Sequence, residues 1–133
     1  TTITLYITPG HTPGTVSLIV PLKDGNQRHV GGIYGGFTLG IARSGVPYFP
    51  DWPTGLKTYL ASVRRVKDYE AKAGVDTMIT IHSRIDKMMD KLAALKMRKP
   101  GEPHPFVNKE LHQRFLNLLD ECVSAQLAWR TKT

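Results

Sequence analysis

Thr8-Pro9-Gly10-His11-Thr12-Pro13-Gly14 joins an alternating run, Thr2-Ile3-Thr4-Leu5-Tyr6-Ile7, to a second apolar run that begins at Thr15. Each proline fixes its own φ, and each glycine after it tolerates the positive φ of a tight turn, so the chain reverses around His11 with little freedom left. An imidazole held in this way is ready to ligate a metal or act as a base, and is equally at home as an ordinary turn residue. A partner decides between them. The candidate partner is His82, which ends the run Val75-Asp76-Thr77-Met78-Ile79-Thr80-Ile81. That run has the length and β-branched content of a buried strand. His82 then sits at a strand exit, where site residues gather on a rigid scaffold, and neutral imidazole is the commonest side-chain metal ligand.

The rest of the text extends this frame. Ile3, Leu5 and Ile7 alternate with Thr2, Thr4 and Tyr6, the period of a half-buried strand. Strands over residues 15–22 and 28–34 meet across Asp24-Gly25-Asn26-Gln27, a hairpin signal. Residues 35–52 are rich in Gly, Pro and aromatics without periodicity and read as an irregular loop, one wall of a cleft, with Phe37, Tyr48 and Trp52 as candidate substrate contacts. A helix begins with Pro53 in its first turn, carries Leu56, Tyr59, Leu60, Val63, Val66, Tyr69 and Ala73 on one stripe, and stops at Gly74. Ile85, Met88, Met89, Leu92 and Leu95 mark a second helix, closed before Lys99-Pro100-Gly101, with its methionines as core filler. Asn108 caps a third, which places Leu111, Phe115, Leu118, Cys122, Ala125 and Trp129 inward. This order describes an α/β layered structure with helices covering a sheet.

The 133 residues suffice for one modest domain with a core. The formal net charge is +7, and all but three of the 18 Lys and Arg residues lie from Lys57 onward, in the helical part, as solvated helix faces do. No long basic block and no interleaved aromatics accompany them, which argues against nucleic acid. Cys122 is the only cysteine, so a disulfide within this chain and a multi-cysteine zinc cluster are excluded. No apolar run approaches the length of a membrane span, and no signal peptide opens the chain. The first residue is Thr rather than Met, so the chain reads as part of a longer product whose compartment stays open. Gly31-Gly32-Ile33-Tyr34-Gly35-Gly36 lacks both the spacing and the Lys-Ser/Thr of a phosphate cradle.

The strand, the Pro-Gly-His11-Thr-Pro-Gly turn, the hairpin, the Tyr34-Gly35-Gly36 strand end, the helix and the strand ending in His82 together resemble the C-terminal half of a metallo-β-lactamase-fold hydrolase. The nearest flavour is the third metallo-β-lactamase subclass and its relatives. The likeness covers residues 3–83 by motif, and Lys99-Pro100-Gly101-Glu102-Pro103-His104-Pro105-Phe106 resembles a C-terminal segment of the same relatives. It implies half of a four-layer αββα sandwich, a mixed sheet covered by helices, with residues 1–133 as a single domain. It also implies that His11 is the third histidine of a first zinc site and that His82 ligates a second zinc. The family's other ligands come from a His-x-His-x-Asp-His motif in the N-terminal half, which this sequence does not contain. The implied activity is zinc-dependent hydrolysis, in which one or two zinc ions supply hydroxide near neutral pH to an amide or ester carbonyl of a lactam- or lactone-like small molecule. This chain alone is then inactive. A periplasmic or secreted address is compatible with the resemblance. Many relatives bridge two metals with an Asp after the strand matching Ile33-Tyr34, where this chain has Gly35-Gly36-Phe37. The third subclass lacks that acid too, so lactam and lactone hydrolysis both stay open.

Coordination chemistry finds the same gap, since catalytic zinc takes three protein ligands and His11 and His82 make two. His29, His104 and His112 show no ligand spacing with either and read as structural or solvated. Asp86 can approach the site from the next helix or serve as a cap. Two other functions stay open: a non-catalytic α/β fragment or interaction module, and a basic nucleic-acid-binding domain testable by salt-dependent binding. A half sandwich should also expose the sheet face of Ile3, Leu5, Ile7, Val16, Leu18 and Val20, so the chain is expected to self-associate, to bind the missing N-terminal half, or to dissolve poorly. A clean monomer at high concentration in size-exclusion chromatography would contradict that expectation.

Overall fold

A computed structural model describes residues 2–38 and 48–131. Strands β1 (Thr4–Ile7), β2 (Val16–Asp24) and β3 (Gln27–Ile33) pair antiparallel in chain order. Asp24 faces Gln27 across a two-residue turn in which Gly25 takes φ 58°, a conformation a side chain would resist. Strand β4 (Thr77–Met78) lies parallel to β3, so the sheet is mixed, with order β1-β2-β3-β4. Parallel neighbours require a long crossover, and helix α1 (Trp52–Ala73) lies in it. Helices α2 (Met88–Met97) and α3 (Lys109–Arg130) complete the chain.

Helix α1 follows its sequence signals closely. Asp51 caps its start by accepting from Thr54 N–H at 2.6 Å, proline occupies the first turn, and Gly74 ends it at φ 72°. Leu56, Tyr59, Leu60, Val63 and Val66 are buried and join Tyr34, Leu116, Leu119 and Val123 in the core. Burial of each such aliphatic side chain contributes about 1.5–3 kcal/mol. Ala73 is exposed, contrary to the expected stripe, because the last turn of α1 runs past the core while Ser62 and Glu70 are taken in. Ser62 donates to the Pro9 carbonyl at 2.7 Å, which ties α1 to the base of the His11 turn.

Three expectations are corrected. The run before His82 forms a strand of only two residues, continued by single bonds from Asp76 N–H to Val30 O and Ile79 N–H to Gly32 O. On its far side, among the described residues, it is offered only the bridge from Thr77 to Val107. Helix α2 buries none of its residues, and Met89 and Met97 are 67% and 80% exposed, so they fill no core. On α3 the buried residues are His112, Leu116, Leu119 and Val123, while Leu111, Leu118, Cys122 and Trp129 face outward. Two apolar stripes share that helix, and hydrophobicity alone does not say which one meets α1. His112 tips the choice: its polar ring reads as surface, yet it is buried against Glu70.

The register of β1 on β2 pairs Leu5 with Leu18 and Ile7 with Val16, so these side chains share one face. Tyr6, Ser17 and Ile19 turn the other way, and Tyr6 stacks on Tyr69 of α1 with ring centroids 4.4 Å apart. On the face away from the helices, Ile3, Leu5 and Ile7 are 48%, 64% and 68% exposed. The sheet thus has one covered and one open apolar face.

Acid should loosen this packing. Burial pushes the Asp120 carboxyl up, but Lys67 and Arg64 of α1 outweigh it and hold it below its ordinary 3.8. Burial likewise raises Asp76, but hydrogen bonds from His29, Val30 N–H and Thr77 hold it below the same value. Both groups release protons more readily folded than unfolded, so their stabilisation is complete above about pH 4 and lost as pH falls through the folded values. The urea midpoint should therefore drop below about pH 4, and drop less in Asp120→Asn. A midpoint that stays level into strong acid would contradict this.

Candidate metal centre

The His11 turn is closed by its own backbone. Thr8 N–H donates to Thr15 O at 2.8 Å, Thr15 N–H to Thr12 O at 3.3 Å, and Thr12 N–H to Thr15 Oγ1 at 3.0 Å. Gly10, at φ 146°, lies so close to Tyr59 of α1 that an added Cβ would overlap its backbone. A Cβ on Gly36 would overlap His11 itself and one on Gly35 the Val16 carbonyl, so this pair of glycines lets the segment after β3 lie against the His11 turn. Gly36→Ala should accordingly displace His11 and cost about 1–3 kcal/mol. Urea denaturation and the His11 ring signals in NMR check it, and an unshifted ring in a stable variant would refute it.

The ring of His11 has a defined proton. Its Nδ1 lies 3.0 Å from the Thr38 carbonyl oxygen and 3.1 Å from Thr38 Oγ1. A carbonyl can only accept, so Nδ1 carries the hydrogen toward Thr38, which in the neutral ring leaves the lone pair on Nε2. Metal-binding histidines are oriented in just this way by a partner on their other nitrogen.

His82 is exposed and is held through its backbone. Its carbonyl accepts from Thr80 Oγ1 at 2.8 Å and from Ile85 N–H at 3.0 Å. Thr80 Oγ1 also lies 3.1 Å from Oδ1 of the buried Asp86, so one hydroxyl proton is shared between two acceptors. Lys91 Nζ reaches the other Asp86 oxygen at 3.4 Å. The edge of Phe37 meets the His82 ring at 5.3 Å with planes at 87°.

These two loops meet. His11 and His82 line one open cleft of about 610 Å³, together with Phe37, Thr38, Ser83, Arg84 and Ile85. Among the described residues no group of three His, Cys, Asp or Glu side chains is placed to hold a metal. Asp86, an open candidate in the sequence, is committed to Thr80 and Lys91. His29 Nδ1 donates to Asp76 Oδ2 at 2.7 Å, His104 accepts from Phe106 N–H at 3.3 Å, and His112 pairs with Glu70, so all three are engaged within the fold. Of the aromatics read as substrate contacts, Phe37 lines the cleft. Trp52 instead packs on the core beneath the Arg130 guanidinium at 4.2 Å, and Tyr48 is exposed without lining the cleft. Residues 39–47 of that loop lie outside the described residues. Sequence reasoning missed Thr38, Thr80 and Lys91, which carry no motif; only the threonine-rich setting of each histidine hinted at local hydroxyl partners.

A mixed sheet with helices on one face, and His11 and His82 lining one cleft at its end, defines a layered α/β architecture. No sequence-family model and no curated protein sequence matches the chain. Among solved structures, a subclass B3 metallo-β-lactamase of Bradyrhizobium japonicum, BJP-1, matches at 25% identity with TM-score 0.68, over 98% of this chain and 46% of that one. The metallo-β-lactamase FEZ-1 from Legionella gormanii matches at 19% identity with TM-score 0.78, over 98% and 47%. A metallo-β-lactamase from Cronobacter sakazakii matches at 26% identity with TM-score 0.67, over 98% and 46%. The chain has the metallo-β-lactamase fold and spans about half the length of these structures.

Proposed function

We propose that this chain supplies His11 and His82 to the zinc centre of a metallo-β-lactamase-like hydrolase whose remaining ligands lie in polypeptide outside the 133 residues. The observation that carries this reading is the meeting of two imidazoles from distant loops in one cleft, one with its Nδ1 proton already committed to Thr38. The donors fit part of a zinc site: imidazole is a preferred ligand, and two fall one short of the catalytic three. Bound zinc there supplies Lewis-acid activation of a carbonyl and of the water that attacks it. The chain's own residues do the positioning. Thr38 keeps the His11 Nε2 lone pair available, Thr80 and Ile85 N–H fix the His82 backbone, and Phe37 and Ile85 give the cleft apolar walls against which a small ring can pack. Spent as ligands, neither imidazole serves as general base. The reaction is hydrolysis of an amide or ester in a lactam- or lactone-like molecule, and the open Ile3, Leu5 and Ile7 face receives the layer that brings the other ligands.

Joined to the polypeptide that completes the sandwich, the chain should open a chromogenic lactam or lactone, lose that activity on dialysis against EDTA and regain it with zinc. Hydrolysis that survives chelation would overturn the reading, as would a folded, zinc-loaded protein that opens neither ring. The two-ligand count favours one rival, a non-catalytic module, which predicts that zinc perturbs neither histidine.

A further inference from the structure

Helix α2 lies on the molecule with its polarity reversed. A surface helix ordinarily turns apolar side chains inward and charges to water, yet α2 buries none of its residues and is tied down by cations. Lys91, only 12% exposed at its side chain, reaches the buried Asp86 at 3.4 Å and lies over the Phe106 ring at 5.2 Å. Arg98, at the helix's end, grips Asp24 of the hairpin with two bonds of 2.9 and 2.6 Å. Lys91 and Arg98 stand about two helical turns apart and so mark one inward side. Met89, Ala93 and Lys96 then fall opposite, with Leu92 and Met97 on their flanks. All of these are exposed, Met97 the most, at 80%.

Lysines rim this outer face. Lys87, Lys96 and Lys99 are exposed, and among the described residues no carboxylate pairs with their ammonium groups. Methionine and leucine on a convex ridge, bordered by free ammonium groups, match a flat surface that is apolar within and anionic at its boundary. A peptide helix would need a groove, which a ridge does not offer, and a second copy would oppose the same lysines. We propose that α2 is a peripheral membrane-docking element whose outer face seats Met89, Leu92 and Met97 at the acyl boundary of a bilayer that contains anionic phospholipid. Lys87, Lys96 and Lys99 then lie at the level of the headgroups, while Lys91 and Arg98 keep the helix clamped to the body. Docking of this kind is independent of whether the zinc centre forms.

The test sediments the intact chain with vesicles of phosphatidylcholine alone and of phosphatidylcholine mixed with phosphatidylglycerol, at physiological salt. Binding should require the anionic lipid, and Lys87→Gln, Lys96→Gln and Lys99→Gln should each weaken it about fivefold. Met89→Ser/Met97→Ser should weaken it at least about tenfold and leave the urea midpoint unchanged, because neither side chain is packed. Two controls separate this face from the rest of a basic chain with an open sheet. Lys57→Gln/Lys72→Gln/Lys109→Gln removes the same charge from other exposed positions, and Leu5→Ser/Ile7→Ser removes apolar surface from the sheet. Both should bind the mixed vesicles about as wild type does. No binding to either vesicle, equal binding to both, equal losses in the charge control and the α2 variants, or a loss confined to the sheet variant would each overturn the proposal. Tighter binding to poly-glutamate than to the mixed vesicles would also overturn it, and would give the face to an acidic protein.

Discussion

Replacing His112 by leucine is expected to lower stability by about 2–3 kcal/mol, the upper part of the loss that follows when a buried polar group is stripped of its hydrogen-bond partner. Glu70 and His112 are 4% and 3% exposed at the side chain, and their short contact joins α1 to α3 beneath β3. Gly32 makes the room for them, since a Cβ there would stand 2.6 Å from Glu70 Oε1 and 2.8 Å from His112 Nε2. Among the described residues Glu70 Oε1 and His112 Nδ1 have no hydrogen-bond partner, so none of them offers the carboxylate a second donor. Without the imidazole its buried oxygens lose the polar partner that His112 supplies. The double variant Glu70→Met/His112→Leu should recover at least half of the loss, because the cost lies in the orphaned group rather than in the missing pair. Urea midpoints of both variants decide it. A single variant within about 1 kcal/mol of wild type, or a double variant no better than the single, would contradict the assignment.

That pair also marks the limit of what the residues disclose by pattern. The hairpin at Asp24-Gly25, the cap-to-cap extent of α1 and the turn at His11 are all written in local chemistry, and each is found where glycine, proline and aspartate place it. The inward face of α3 is not, because Leu111, Leu118, Cys122 and Trp129 make as good a stripe as Leu116, Leu119 and Val123. A long-range polar pair settled it, and spacing along one helix contains no trace of a glutamate on another. His11 stood out because a rigid Pro-Gly turn holds it, and His82 because an apolar, β-branched run leads into it. Their supports did not: Thr38, Thr80 and Lys91 act through bonds that depend on how the loops come together.

The second large effect falls on His82. In the completed hydrolase, His82→Ala should reduce zinc-dependent turnover by at least about a hundredfold, since the change removes a ligand from the metal's coordination sphere rather than a partner that orients one. The fold should be untouched, because the ring is exposed and its loop is held by the carbonyl bonds to Thr80 Oγ1 and Ile85 N–H, which alanine keeps. Thr80→Val makes the complementary change. It leaves the ring and frees its backbone, so zinc affinity should fall about tenfold while Thr80→Ser stays near wild type. Turnover by His82→Ala equal to wild type in a folded, zinc-supplied protein would remove His82 from the centre.

The hydrolase reading depends on His11 and His82 belonging to one zinc centre, whether it holds one ion or two, and zinc titration of the isotope-labelled 133-residue chain tests that directly. The account predicts that the ring nitrogens of both histidines shift on addition of zinc, that those of His29, His104 and His112 do not, and that EDTA reverses the change at once. A response from only one of the two would contradict it.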